Sequence, residues 1–150
     1  MPIIRQRIQT TLPVDDAFSF VADFANSAIW DPGTVTSKRI DAGPVGEGAR
    51  YQLGVKIGGR TAPMEYRITT FDPPRRVVLR GEGSNVTAVD DIRFEGSPTG
   101  TTIDYTADIR LTGLLRLVQP FAGRAFAAIG RDAAAGMEKT LAELAANRQP

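Results

Sequence analysis

The spacing of apolar residues changes once in the body of this chain, and that change restricts the fold more than any motif does. From Thr34 to Leu111 the period is two. Tyr51, Leu53, Val55 and Ile57 alternate with Gln52, Gly54 and Lys56, while Met64, Tyr66 and Ile68 alternate with Glu65, Arg67 and Thr69. Further on, Leu79 shares a parity with Val77. Asp90 shares one with Ala88, Ile92 and Phe94, and Tyr105 shares one with Ile103, Ala107, Ile109 and Leu111. Strict alternation buries one face and wets the other, which is antiparallel sheet behaviour. After Leu111 the spacing becomes helical and stays so. Phe126, Ile129, Ala133, Gly136, Met137, Leu141 and Leu144 follow the i, i+3, i+4 rule over about six turns.

The segments around this switch fill in the rest. Turn-forming runs such as Gly43–Gly48, Gly58-Gly59, Asp72-Pro73-Pro74 and Gly96–Gly100 divide the period-two block into about six strands. Ile3 to Leu12, rich in isoleucine and threonine, predicts a further strand before them. Pro13 opens a short helical region with Asp15 and Asp16 in its first turn, and Pro32-Gly33 closes it. Gly113 and Pro120 predict a short turn or a kink ahead of the long helix. No linker, repeat or low-complexity stretch interrupts residues 1–150, so one α+β domain is expected.

One sheet with a single apolar face needs a cover, and the long C-terminal helix is the one element of sufficient length. Seven strands are wider than a helix of diameter about 10–12 Å, so the sheet must curl around it. The helix is poor in bulk, with Ala122, Gly123, Ala125, Gly130, Ala133, Ala134 and Gly136 among its residues. Small residues either let the helix dock closely or leave an unfilled apolar space. A space of several hundred Å³ would be a ligand site. Its expected lining is the inward parity of the strands and the helix stripe: Tyr51, Met64, Tyr66, Leu79, Asp90, Tyr105, Phe126, Ile129 and Met137. Trp30, the sole tryptophan, either closes the mouth of this space or anchors the short helices.

Asp90 is the anomaly on that face. A bare buried carboxylate costs several kcal/mol unless it is paired or protonated. Three outcomes follow: a carboxyl with a raised pKa fit for acid–base work, a bulge at Asp90-Asp91 that turns it outward, or a partner arginine or tyrosine. The outward charges Arg80, Glu82, Asp91, Arg93, Asp104, Asp108 and Arg110 are expected to form cross-strand pairs, and Arg75-Arg76 a solvated turn.

Composition excludes several chemistries. There is no histidine and no cysteine. The commonest base near neutral pH, the usual metal ligands, thiolate nucleophiles and disulfides are therefore missing, and neither a metal nor a cofactor is expected. Lysine and arginine number 18 against 17 acidic residues, so no net field favours nucleic acid. The N-terminal residues Met1 to Arg7 carry no signal-like apolar run, and the most apolar stretch, Leu114 to Ala135, contains Arg116, Arg124, Arg131 and Asp132. No integral membrane association is expected, and the cytoplasm is the expected compartment.

The order of elements, with Trp30-Asp31-Pro32-Gly33, the turn Phe71-Asp72-Pro73-Pro74-Arg75-Arg76 and Gly100-Thr101-Thr102 before the last strand, resembles the START-like polyketide cyclase/dehydrase superfamily over essentially the whole chain. The resemblance implies a helix-grip fold: a curved seven-stranded antiparallel sheet around a long C-terminal helix, with two short helices after strand 1. It also implies a hydrophobic ligand, lipid- or polyketide-like, held between sheet and helix. No catalytic set carries over from it, and iron-dependent branches do not fit a chain without their ligands. Three functions stay open. One is a binding protein for a small hydrophobic molecule. The second is a cyclase or dehydratase in which Asp90 moves protons and Tyr51, Tyr66 or Tyr105 polarises a carbonyl. The third is a homodimeric module pairing through Leu114, Leu115, Leu117 and Phe121.

Overall fold

The computed structural model describes residues 3–148. Met1 and Pro2, part of the N-terminal stretch discussed above, lie outside them, as do Gln149 and Pro150. Strand β1 (Ile3–Thr10) leads through Pro13 into helix α1 (Val14–Ala22), a 3-10 turn (Phe24–Asn26) and the one-turn helix α2 (Ser27–Trp30). Six strands follow: β2 (Thr34–Arg39), β3 (Arg50–Ile57), β4 (Arg60–Asp72), β5 (Arg76–Glu82), β6 (Val86–Ser97) and β7 (Gly100–Leu111). They pair as an antiparallel sheet of seven strands, in the order β1-β7-β6-β5-β4-β3-β2, that curls as a half-barrel around α3 (Gly123–Arg148). The strand count and the grip of sheet on helix match the periodicities. The first strand stops at Thr10 because the chain must reverse before Pro13, and the Thr10 hydroxyl accepts from the Leu12 amide at 3.2 Å.

The alternation places the core where it is expected. Tyr51, Leu53, Ile68, Leu79, Ile92 and Ile103 are fully buried on the concave face. α1 presents Ala17, Phe18 and Val21 inward, and Phe18 packs edge-on against Phe94 with centroids 5.1 Å apart.

Two expectations about the surface are corrected. Arg80–Glu82 (3.0 Å), Arg93–Asp91 (3.5 Å) and Arg110–Asp108 (3.3 Å) pair along one strand rather than across strands. Residues two apart share a face, and arginine is long enough to span that gap. Cross-strand pairing occurs where register demands it, as expected for Asp104 and Asp91: Arg7 of β1 stands directly opposite Asp104 and donates to it at 2.9 Å. Arg76 stands directly opposite Arg93, and Asp91 beside them accepts a two-pronged contact from Arg76 at 2.9 and 3.0 Å as well as the contact from Arg93. Arg76 therefore opens β5 instead of lying in a solvated turn.

The approach to α3 also differs. It is a nine-residue 3-10 segment, Gly113–Phe121, that runs through Pro120, long for this geometry. Gly113 makes the reversal out of β7 at φ +60°, and Pro120 lacks the amide an α-helix would use. Gln119 ties the segment to β7: the Leu111 amide donates to Gln119 Oε1 at 2.6 Å, and Gln119 Nε2 donates to the Ile109 carbonyl at 3.1 Å.

Close docking and unfilled space both occur along α3. A Cβ at Gly130 would overlap Ile4 of β1, and one at Gly136 would overlap the Trp30 carbonyl oxygen. These two glycines let the helix seat. Between and beside them, Ala133 and Ala134 leave room.

Candidate functional site

The room left under α3 is an apolar cavity of about 110 Å³ between the helix and the concave face of the sheet. It is smaller than the several hundred Å³ anticipated. It still exceeds several-fold the roughly 10–15 Å³ that one water requires. Ile4 and Ile8 of β1, Leu53 and Val55 of β3, and Ala107 and Ile109 of β7 form its sheet wall. Ile129, Gly130, Ala133, Ala134 and Met137 of α3 form its roof. Ile129 of the roof is 39% exposed.

The polar groups of the lining are few: Gln6, Asp31, Thr34, Tyr66, Asp90 and Tyr105. Asp90 is 6% exposed. The β6–β7 register runs through Asp90 and Asp91 without a bulge, so its side chain points inward. Ile92 stands opposite Tyr105, and that offset brings the Tyr105 hydroxyl diagonally onto Asp90, to whose Oδ2 it donates. Burial pushes the Asp90 carboxyl up to about 7; the Tyr105 hydrogen bond works against this shift, and the charge of Asp31 adds to it. Burial and the neighbouring Asp90 carry the Tyr105 and Tyr66 phenols well above their ordinary value, so both stay protonated.

Asp31 reaches the cavity from the turn between α2 and β2. Its oxygens accept from the Gly33 amide at 2.8 Å and the Thr34 hydroxyl at 3.1 Å. Burial still raises its pKa against those two bonds. The turn is fastened from behind, where the Ser27 and Ser37 hydroxyls each donate to the Phe24 carbonyl at 2.7 Å. Phe24 in turn leans on Tyr66, centroids 5.1 Å apart, and Tyr66 lies over Gly81 of the adjacent strand, where any side chain would strike the ring.

The structure thus gathers Tyr66, Asp90, Tyr105, Ile129 and Met137 around one space. It places Trp30, Tyr51, Met64, Leu79 and Phe126 in the surrounding core, outside the cavity wall. Trp30 is 2% exposed and meets Phe24 and Tyr105 edge-on, so it anchors the short helices and backs Tyr105 instead of closing a mouth. Tyr51 is fully buried; burial raises its phenol to about 12, and the Arg39 guanidinium covers its ring at 5.6 Å. Sequence reasoning missed Asp31, Thr34 and Phe24. Asp31 carried one signal, an acid beside a Pro-Gly stop, and that signal marks turns generally.

A buried carboxyl that titrates near neutrality beside a phenol that stays protonated can donate or accept a proton, or orient one polar group of an otherwise apolar guest. Among the described residues no helix is long and apolar enough to cross a membrane.

The sequence profile described as "Polyketide cyclase / dehydrase and lipid transport" matches residues 1–147. No curated protein matches the chain. Among solved structures it is similar to a START superfamily protein from Mycobacterium smegmatis, with TM-score 0.80, 13% identity, and 95% of this chain and 98% of that one covered. It is also similar to the Zhui aromatase/cyclase from a Streptomyces species, with TM-score 0.75, 16% identity, and 97% and 94% covered. A protein from Thermus thermophilus superposes with TM-score 0.75 at 16% identity, covering 97% and 99%. At these identities the likeness is one of fold.

Proposed function

The chain belongs to the polyketide cyclase / dehydrase and lipid transport family, and from that premise we propose that it binds one small hydrophobic molecule in the cavity under α3, in the cytoplasm. The observation that carries this reading is the cavity itself, an apolar space with its hydrogen-bonding groups concentrated around Asp90 and Tyr105. Apolar walls supply affinity in proportion to the area they cover, and the polar end sets orientation. Trp30, against Tyr105, reports on the site. Titration with small aromatic compounds is expected to change Trp30 fluorescence saturably, and Ala133→Leu, which fills the roof, is expected to abolish the change while leaving the far-UV CD spectrum intact. An unaltered titration in that variant would place binding elsewhere.

The pairing of Asp90 with Tyr105 supports a second reading, a cyclase or dehydratase. Asp90, titrating near 7, would then shuttle the proton while Tyr105 or Tyr66 polarises a carbonyl. Asp90→Asn separates the two readings: an enzyme loses turnover of a bound substrate while keeping it bound, whereas a carrier has no turnover to lose.

A third reading, a homodimer, draws on the 3-10 segment ahead of α3. Leu114 is 85% exposed, Leu117 74% and Phe121 86%, and exposed large apolar residues grouped in one short segment are a feature of interaction sites. Light scattering over a concentration series that shows only monomer would remove it.

A further inference from the structure

The cavity is electrostatically one-sided. Its ionisable lining groups are Asp31, Asp90, Tyr66 and Tyr105; among the described residues no lysine or arginine contributes to its wall. Of the elements packed around Asp90, β5 sets the uncharged Leu79 directly opposite it, and three others bring acids or phenols. β7 supplies Tyr105, β4 supplies Tyr66, and the turn before β2 supplies Asp31. The residues of α3 that roof the cavity are uncharged, and the nearby Asp132 acts on Asp31 with further negative charge. Asp90 accepts one hydrogen bond, from Tyr105 to Oδ2, and no group among the described residues donates to its other oxygen. When it ionises, a carboxylate buried to this degree beside an apolar space lacks the counter-charge that would offset its burial.

We propose that the molecule held here is a small hydrophobic amine, bound as its ammonium ion against Asp90 with the rings of Tyr66 and Tyr105 beside it, and that fatty-acid-like carboxylates are excluded. This rests on the cavity being the binding site. The ammonium supplies the missing hydrogen-bond donors and the opposite charge at Asp90, and phenol rings attract cations through their faces. An anionic head would instead add negative charge to a water-poor space that already holds two carboxyl groups, with nothing to neutralise it. When the amine binds to protein whose Asp90 is protonated, that proton leaves to solvent, so affinity must fall as pH drops.

Three probes of one shape test the idea: 2-phenylethylamine, 2-phenylethanol and 3-phenylpropionate, titrated by calorimetry against the full chain. The amine is expected to bind at least roughly tenfold more tightly than the carboxylate at about pH 8, a difference that shrinks at about pH 6, where the amine is still charged but Asp90 is largely protonated. Asp90→Asn is expected to bring the amine down toward the alcohol. Should that variant fail to fold, the pH series on the unaltered protein carries the same information. If the carboxylate binds as tightly as the amine, or the amine shows no dependence on pH across this interval, the inference is overturned while the cavity reading stands. If none of the three binds, the cavity reading falls with it.

Discussion

Asp90 sits where burial and hydrogen bonding pull its titration in opposite directions, and burial wins. Its carboxyl titrates at about 7 in the folded protein against about 4 in an unfolded chain. Between those values the folded state holds the proton that the unfolded state has released. Stability therefore falls as pH rises from about 4 to about 7 and levels off above, with a total effect of up to about 4 kcal/mol. Asp90→Asn removes the titrating group while keeping an oxygen for the Tyr105 hydroxyl. The variant is expected to be the more stable protein at about pH 8, by on the order of 2–4 kcal/mol, and to lose the decline between about pH 4 and 7. Urea unfolding of both proteins at several pH values checks this, and parallel profiles would mean that Asp90 is ionised throughout. The parity of β6 made the burial of Asp90 legible in the sequence. Its partner was not legible, because an arginine, a tyrosine or a bulge satisfies a buried carboxylate equally well on paper. The choice was made by the β6–β7 register, which sets Tyr105 one diagonal away.

At the scale of elements, α3 is positioned by what it lacks. Gly136 faces the Trp30 carbonyl and Gly130 faces Ile4, both too close for a Cβ. Alanine is the better helix former by about 1 kcal/mol, yet at Gly136 the obstacle is backbone that cannot step aside. Gly136→Ala is therefore expected to destabilise the protein by about 1–3 kcal/mol. Gly123→Ala, where a Cβ meets nothing within 4 Å, serves as the control and is expected to be neutral or mildly stabilising. Equal midpoints for the two variants in denaturant would show that α3 is free to shift. The helix and strands β3 to β7 were legible from periodicity, since burial on one face imposes it directly, whereas β1 was read from its isoleucine and threonine content and β2 carries no clear apolar alternation. The nine-residue 3-10 segment was not legible. Gly113 and Pro120 announce a break, but the long-range bonds of Gln119 to β7 decide what forms there.

For the whole molecule, the curl of the sheet around one lean helix leaves a cavity, and the elements that meet there come from both ends of the chain. Tyr66, Asp90, Tyr105, Ile129 and Met137 were picked out by counting along strands and helix. Asp31, Thr34 and Phe24 were not, because they flank α2, in the 3-10 turn before it and the turn into β2, and contribute only once α2 and β2 have packed. The same packing explains why Tyr51, Leu79 and Phe126, on the right face, stop short of the cavity: a curled sheet has more inward residues than its cavity has wall. Whether the cavity holds a guest is read most plainly by native mass spectrometry of the protein purified from its own host, beside Ala133→Leu prepared identically. A discrete small hydrophobic molecule, one per chain, is expected on the unaltered protein and none on the variant. An unaltered protein that is empty, and that fails to take up any small apolar compound offered to it, would refute ligand binding and leave α3 as a structural cover alone.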